Sequence, residues 1–180
     1  MKKNRTIIIA EAGVNHNGNI NLALKMVDIA AKAKADYVKF QTYCTDDLVQ
    51  KKIGLAPYQK KNSNKFTSQY NLLKKFELSY SDHLKIIERC KKRKIKFLSS
   101  PFDLKSIDLL KKLKLSLFKV PSGEITNIPY LRKMGALKTK IILSTGMSNI
   151  EEIKKAIKVL TLSGTKKKNL TILHCSSEYP

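Results

Sequence analysis

Six short apolar runs, separated by amphipathic stretches, constrain the fold of this chain more than any other feature of its sequence. The runs are too short to be helices and are rich in Ile, Val and Phe, which is typical of buried parallel strands. They cover residues 7–10, 37–40, 95–98, 117–120, 141–143 and 170–173. Strand–helix alternation repeated this often predicts an α/β fold with a parallel sheet.

Five helices are predicted between the runs, and four of them show a clear amphipathic pattern. Their apolar residues follow helical spacing: Leu22, Met26, Ile29 and Ala33, then Leu84, Ile87 and Cys90, then Ile107, Leu110 and Leu113, and finally Ile150, Ile153, Ile157 and Leu160. For the last helix, Ser148 followed by Glu151 predicts a capping box, and Gly164 lies where a C-cap belongs. The connection after the second run is much longer than the others, and its polar stretch, residues 45–70, predicts a functional loop.

Every predicted strand ends in polar or turn-forming residues, and this separates two α/β architectures. In a doubly wound sheet the chemistry collects at one switch point, whereas in a (β/α)8 barrel all strand ends face one mouth. Polar ends on all six strands favour the barrel, and the chain has no G-x-G-x-x-G or P-loop motif.

A complete TIM barrel has eight strands and about 250 residues, more than this chain of 180 residues supplies. We therefore expect residues 1–180 to form an incomplete TIM-barrel domain of about six strands and five helices, as a fragment or a truncated gene product. A complete six-stranded α/β protein is the alternative.

Lys39 and Lys119 each lie at the end of an apolar strand, where a cation must be paired or must bind an anion. Serine hydroxyls occur at neighbouring strand ends: Ser100, Ser122 and Ser144. Ammonium groups with hydroxyl and backbone donors predict a site for a phosphorylated or carboxylated small molecule. Internal ion pairs with Glu11 or Glu124 are one alternative, and a Schiff-base lysine, as in an aldolase, is another.

The carboxylates and histidines leave several roles open. Glu11 and Glu124 are each a candidate general acid or base, or a partner for a lysine. His16 lies in a tight-turn sequence, which favours a structural role over proton transfer or sugar contact. His83, with lysine neighbours on a helix, is expected to be solvated. His174 ends a strand without a second ligand at chelate spacing, so it is weak evidence for a metal site.

The formal net charge is +22, from 36 lysines and arginines against 14 carboxylates. We interpret most of it as lysine on solvated outer helix faces. A basic nucleic-acid-binding module is the alternative, supported by the runs at 91–94 and 166–168. The scarcity of arginine and the lack of aromatic residues interleaved with the lysines argue against a nucleic-acid partner.

Cysteine usage and hydropathy indicate the compartment. The three cysteines are far apart and odd in number, which argues against a disulfide framework and a zinc cluster, and we interpret them as idle thiols. No apolar run approaches the roughly 20 residues of a membrane-spanning helix, and the first run is too short for a signal-peptide core. We expect a soluble cytoplasmic protein with no membrane partner.

Seven segments, in this order along the chain, resemble the sialic acid synthase family. They are IAEAGVNHNG (9–18), VKFQT (38–42), APYQ (56–59), SSPFD (99–103), KVPSGE (119–124), ILSTGM (142–147) and LHCSSEYP (173–180). The subgroup that the chain resembles most makes N-acetylneuraminic acid or N,N'-diacetyllegionaminic acid. Gly123 differs from the aromatic residue that we expect in pseudaminic acid synthases.

The resemblance implies condensation of phosphoenolpyruvate with N-acetylmannosamine or its 2,4-diacetamido analogue, with release of phosphate. It implies that phosphoenolpyruvate is bound by Lys39, Ser100, Lys119, Ser122, Ser144 and Ser177. Gln41 and Tyr179 would contact the sugar, and Glu11 would be catalytic. The implied cofactor is Mn²⁺ or Mg²⁺, with its histidine ligands beyond residue 180. The full-length protein would be a homodimer with a C-terminal antifreeze-like domain, and we expect the 180-residue chain alone to be inactive.

Overall fold

The structure, a computed structural model, describes residues 5–55 and 68–176. Their strands are β1 (Ile9–Gly13), β2 (Tyr37–Thr42), β3 (Lys96–Pro101), β4 (Leu117–Val120), β5 (Lys140–Ser144) and β6 (Leu170–Leu173). Two of the predicted strands, β4 and β6, have the observed bounds. The other four continue further into the polar residues that follow each apolar run.

Seven α-helices occur in the described residues, two more than the sequence predicted. They are α1 (Ile20–Lys32), α2 (Thr45–Leu48), α3 (Gln69–Phe76), α4 (Tyr80–Arg93), α5 (Leu104–Lys112), α6 (Ile128–Ala136) and α7 (Ile150–Leu162). Helices α2 and α3 lie in the long connection that was expected to be a loop. A local cap explains α3, because the Ser68 hydroxyl accepts a hydrogen bond from the Asn71 amide and Leu72 is buried.

The capping box of α7 lies one residue later than predicted. Asn149 Oδ1 accepts from the Glu152 amide at 2.9 Å, and a Glu152 carboxylate oxygen accepts from the Asn149 amide at 2.9 Å. Ser148 is still part of the preceding turn, since its amide donates to the Thr145 carbonyl. Gly164 follows the helix end with φ +125°, as the sequence predicted.

All strand pairs are parallel, and within each sheet every strand pairs with the next one in sequence. The strands form two three-stranded sheets, β1-β2-β3 and β4-β5-β6, which adjoin where β3 contacts β4. Sequential parallel order is the winding of a (β/α) barrel, whereas a doubly wound sheet reverses its order. This order confirms the prediction of an α/β barrel with about six strands.

Two hydrophobic clusters fix which face of each sheet meets the helices. Val38 and Phe40 of β2 pack with buried residues of α1 and α4. Phe118 and Val120 of β4 pack with buried residues of α5, α6 and α7. Because side chains alternate along a strand, the residues between them, Lys39 and Lys119, lie on the opposite, interior face.

The buried stripes of two helices differ from those predicted. In α1 the buried residues are Ala23, Val27 and Ala30, while Leu22 and Ile29 are exposed. In α4 they are His83, Ile86 and Cys90, while Leu84 is exposed. Cys90 is buried as predicted, whereas the other buried residues of both helices are adjacent in sequence to those expected. No helix among the described residues is long and apolar enough to cross a lipid bilayer.

Candidate anion-binding site at the strand ends

The first sheet brings four of the predicted site residues to its interior face. Glu11 of β1 lies in register with Lys39 of β2, and Gln41 lies in register with Ser100 of β3. The Lys39 ammonium forms an ion pair with the Glu11 carboxylate, and Lys39 Nζ lies 3.5 Å from Ser100 Oγ. The Lys39 side chain is only 11% exposed, whereas that of Glu11 is 53% exposed. The ion pair considered as an alternative for Lys39 is thus present in the structure.

Lys119 enters the same interior from β4 of the second sheet. Among the described residues it forms no ion pair. Burial, reinforced by repulsion from Lys39, lowers the pKa of Lys119 to about 8, although Glu11 and Cys175 oppose the shift. An anion placed beside Lys119 would favour its charged form, so this lysine is the stronger candidate for contact with a phosphate or carboxylate.

Ser144 and Cys175 lie beside Lys119. Ser144 ends β5, is buried, and is in register with Leu173 of β6. The Cys175 sulfur accepts a hydrogen bond from the Gly146 amide at 3.4 Å. Burial raises the pKa of the Cys175 thiol, but the hydrogen bonds from Gly146, Ser144 and Thr145 and the charge of Lys119 together bring it below the usual value.

Cys175 was not predicted as a site residue, because all three cysteines were interpreted as idle thiols. The alternation of side chains along a strand was a signal that could have identified Cys175 as a site residue. Leu173 is in register with Ser144, and Cys175 follows it by two residues, which points to the same face of the sheet. The other two cysteines differ in environment: Cys90 is buried against the helix side of the sheet, and Cys44 precedes α2.

Of the remaining predicted residues, two lie just after β4. Ser122 begins a 3₁₀ turn (Ser122–Glu124) just after β4 and is half-buried. Glu124 accepts a hydrogen bond from the Asn127 side chain at 2.7 Å and, within the described part of the chain, pairs with no lysine. Ser177, Tyr179 and the APYQ segment lie outside the described residues.

The histidines do not join this site in the described structure. The expectation that His83 is solvated is wrong: it is fully buried, its Nδ1 donates to the Ser79 carbonyl, and its Nε2 accepts from the Thr42 hydroxyl. His83 lies on the buried stripe of α4, which explains the error. His16 is also fully buried, with its ring near Phe40, on the helix side of the sheet. His174 is exposed.

The fold and the site define a parallel β/α-barrel chain with two interior lysines, serine hydroxyls and a thiol at the strand ends. The chain belongs to the NeuB family, whose sequence pattern matches residues 26–180. This confirms the resemblance seen in the sequence.

Known proteins resemble the chain along nearly its whole length. It is 53% identical to N,N'-diacetyllegionaminic acid synthase of Campylobacter jejuni over 180 residues, covering 100% of this chain and 53% of that protein. It is 45% identical to the enzyme of the same name from Legionella pneumophila, covering 96% of this chain and 49% of that one. The crystal structure of N-acetylneuraminic acid synthetase from Leptospira borgpetersenii, in complex with citrate, superposes with a TM-score of 0.81 at 33% identity. That match covers 97% of this chain and 56% of the other. The chain thus spans about half the length of these relatives.

Proposed function

We propose that residues 1–180 form the first six strands of a TIM-barrel synthase domain that condenses phosphoenolpyruvate with an N-acetylated amino sugar. The sugar is the 2,4-diacetamido analogue or N-acetylmannosamine, and the product is a legionaminate-type acid or N-acetylneuraminate. The observation that carries the proposal is the placement of Lys39 and Lys119, from two different sheets, in one interior site of a NeuB-family barrel.

The residues suit this chemistry in the following way. Phosphoenolpyruvate carries a phosphate and a carboxylate, and two ammonium groups with nearby hydroxyls are suitable partners for two anionic groups. Lys39, Lys119, Ser100, Ser122, Ser144 and Ser177 are proposed to hold them. Gln41 and Tyr179 are proposed to contact the sugar. Glu11, half-exposed and paired with Lys39, is proposed to assist proton transfer to the aldehyde oxygen as the carbon–carbon bond forms.

The reaction forms a carbon–carbon bond between carbon 3 of phosphoenolpyruvate and the sugar aldehyde. Water then adds at carbon 2, and inorganic phosphate leaves by cleavage of its bond to that carbon. Charged groups held in place by the barrel would stabilise the phosphate as it leaves. Lys119, which gains a full charge when an anion binds, is proposed to contribute most to this step.

A Mn²⁺ or Mg²⁺ ion remains part of the proposal for the full-length protein only. In residues 5–55 and 68–176, no three His, Cys, Asp or Glu side chains come together to hold a metal ion. The described part of the chain therefore does not fit such an ion, and no step is assigned to one here. Its ligands, together with a homodimer and a cytoplasmic location, are proposed for the complete enzyme.

A chimera tests the function. This chain would replace the matching 53% of the Campylobacter jejuni synthase, and product would be measured by mass spectrometry with each sugar. We expect product from the 2,4-diacetamido sugar or from N-acetylmannosamine, and its loss in the Lys119→Met chimera. A folded chimera that makes neither product would contradict the proposal.

The chain alone is proposed to be inactive. Purified chain with phosphoenolpyruvate, N-acetylmannosamine and Mn²⁺ should give no sialic acid. Formation of sialic acid under these conditions would show that the described strands already suffice.

A Schiff-base aldolase is a second candidate, because the pKa of Lys119, at about 8, supplies more neutral amine than an ordinary lysine. Borohydride added with pyruvate would then trap a covalent adduct on Lys119, which peptide mass spectrometry would locate. No adduct is expected from a synthase that binds phosphoenolpyruvate through charge alone.

A further inference from the structure

Positive charge is concentrated at the end of the barrel where the helices finish and the strands begin. We call this end the basic face and define it as residues 32–37, 91–96, 111–117, 137–140 and 163–170. Its exposed lysines are Lys32, Lys34, Lys91, Lys92, Lys94, Lys96, Lys111, Lys112, Lys114, Lys138, Lys140, Lys166, Lys167 and Lys168. The single carboxylate in these segments is Asp36, which pairs with Arg5 and accepts from the Ile8 amide.

The opposite end of the barrel carries a different balance. Its described segments, residues 14–19, 43–55, 68–79, 102–103, 121–127 and 145–149, contain four lysines, Lys51, Lys52, Lys74 and Lys75. They also contain five carboxylates: Asp46, Asp47, Glu77, Asp103 and Glu124. The described charge is therefore polarised along the barrel axis rather than spread over its surface.

Helix ends explain only part of this pattern. Cations stabilise the last turn of a helix, which accounts for residues such as Lys92 and Lys112. They do not account for Lys96 and Lys140, the first residues of β3 and β5, or for the run 166–168 before β6.

Lysine also occupies positions of the basic face whose backbone conformation favours other residues. Four lysines of the basic face adopt the left-handed conformation, with φ between 56° and 58°: Lys34, Lys94, Lys114 and Lys138. Glycine or asparagine adopts this conformation with less strain. Each of the four is exposed and, among the described residues, forms no ion pair.

Exposed apolar side chains border the basic face. Leu162, the last residue of α7, is 78% exposed, and Ile7, just before β1, is 63% exposed. A cavity of about 480 Å³ also opens here, lined by apolar residues and by three lysines: Ile87, Leu113, Leu115, Leu117, Lys91, Lys96 and Lys114. Ammonium groups beside apolar surface suit an amphiphile with an anionic head group.

We propose that the basic face binds the surface of a membrane containing anionic lipids. This departs from the expectation of no membrane partner, which rested on the lack of a membrane-spanning segment. Binding at the bilayer surface requires no such segment. Nucleic acid fits less well. The face contains one arginine, Arg93, which pairs with Asp28. Its one aromatic residue, Tyr37, is already covered by Lys96, with an ammonium-to-ring distance of 5.3 Å, so the ring is not free to stack on bases.

The test is co-sedimentation of the chain with vesicles of phosphatidylcholine, with and without phosphatidylserine. We expect binding only to the anionic vesicles, weakening as NaCl rises from about 0.1 M toward 0.5 M. The informative variant is K34N/K94N/K114N/K138N, since asparagine suits the left-handed conformation and the fold should be kept. It should bind at least about tenfold more weakly.

A matched control separates the basic face from net charge. K25Q/K52Q/K85Q/K155Q removes four exposed lysines elsewhere, none of which forms an ion pair with a described residue. It should stay within about twofold of the parent. Leu162→Asn should weaken vesicle binding without a change of charge. Equal losses in the two quadruple variants would overturn the proposal. The proposal would also be overturned if the chain bound duplex DNA more tightly than anionic vesicles and Leu162→Asn had no effect on vesicle binding.

Discussion

Lys119 on β4 and Lys39 on β2 face one interior site from two different sheets, and repulsion between them adds to burial in lowering the pKa of Lys119 to about 8. The two lysines are not equivalent. Lys39 is paired with Glu11, whereas Lys119 has no ion pair among the described residues. Ligand binding should therefore change the protonation of Lys119.

Anion binding to the chain should take up a proton near pH 8. A bound phosphate favours the ammonium form of Lys119, so a lysine that is partly neutral in the free protein becomes fully charged. Titration calorimetry with inorganic phosphate, in buffers of different ionisation enthalpy, measures this uptake. It should vanish in Lys119→Met and remain in Lys25→Met, whose side chain is exposed on α1. Uptake that persists in Lys119→Met would assign the proton to another group.

Glu11→Gln should strengthen phosphate binding to the chain. The Glu11 carboxylate neutralises Lys39 and repels an incoming anion, so its removal leaves a more positive site. Calorimetry with inorganic phosphate should show a dissociation constant several-fold lower, while the Glu11→Gln chimera loses synthase activity. Weaker phosphate binding would mean that Glu11 positions Lys39 rather than competing with the anion.

Cys175 should react with iodoacetamide before Cys90 does. Hydrogen bonds and the charge of Lys119 bring the pKa of Cys175 below its usual value, whereas burial raises the pKa of Cys90 to about 12. Peptide mass spectrometry after timed alkylation gives both rates. Phosphoenolpyruvate should slow the reaction at Cys175, because it would occupy the neighbouring anion site. A faster reaction at Cys90 would show that the β6 end is covered.

Acid should destabilise the fold below about pH 6.5. Burial lowers the pKa of both His16 and His83, so protonating them costs more in the folded than in the unfolded state. The stability that the neutral histidines contribute is therefore complete above their unfolded-state pKa of 6.5, and it is lost as the pH falls toward their lower folded-state pKa values. Urea midpoints at several pH values measure this loss, and it should be smaller in His16→Gln. A loss confined to below pH 4 would point to carboxylates such as Asp28, whose pKa is about 2.

Gly135→Ala should destabilise the packing of α6 on α7. A Cβ atom at this position would lie 2.6 Å from the Ser163 Cβ and 2.7 Å from the Leu160 carbonyl oxygen. Overpacking of this kind costs about 1–3 kcal/mol. Gly54→Ala is the control, since its Cβ would meet nothing within 4 Å. Thermal unfolding of both variants checks the difference, and equal melting temperatures would show that the helices separate easily.

Several elements were predictable because they depend on neighbours in sequence. Apolar runs with polar ends located all six strands, and they identified Lys39 and Lys119 as the lysines that lie at the ends of such runs. The buried stripes of α1 and α4 were not predictable in the same way. Leu22 is as apolar as Val27, yet only Val27 is buried, since the sheet decides which side of the helix it contacts.

Sequence by itself determined the order of the six strands and the lysines and serines at the strand ends, because these follow from local periodicity and residue type. The resemblance of seven segments to known proteins indicated the family. Tertiary structure alone decided that Lys39 pairs with Glu11 while Lys119 does not, that Cys175 joins them, and that His83 is buried. It also gathered the lysines of five separate connections at one end of the barrel. Each of these depends on contacts between segments far apart in the chain, which only the packing of sheets and helices brings together.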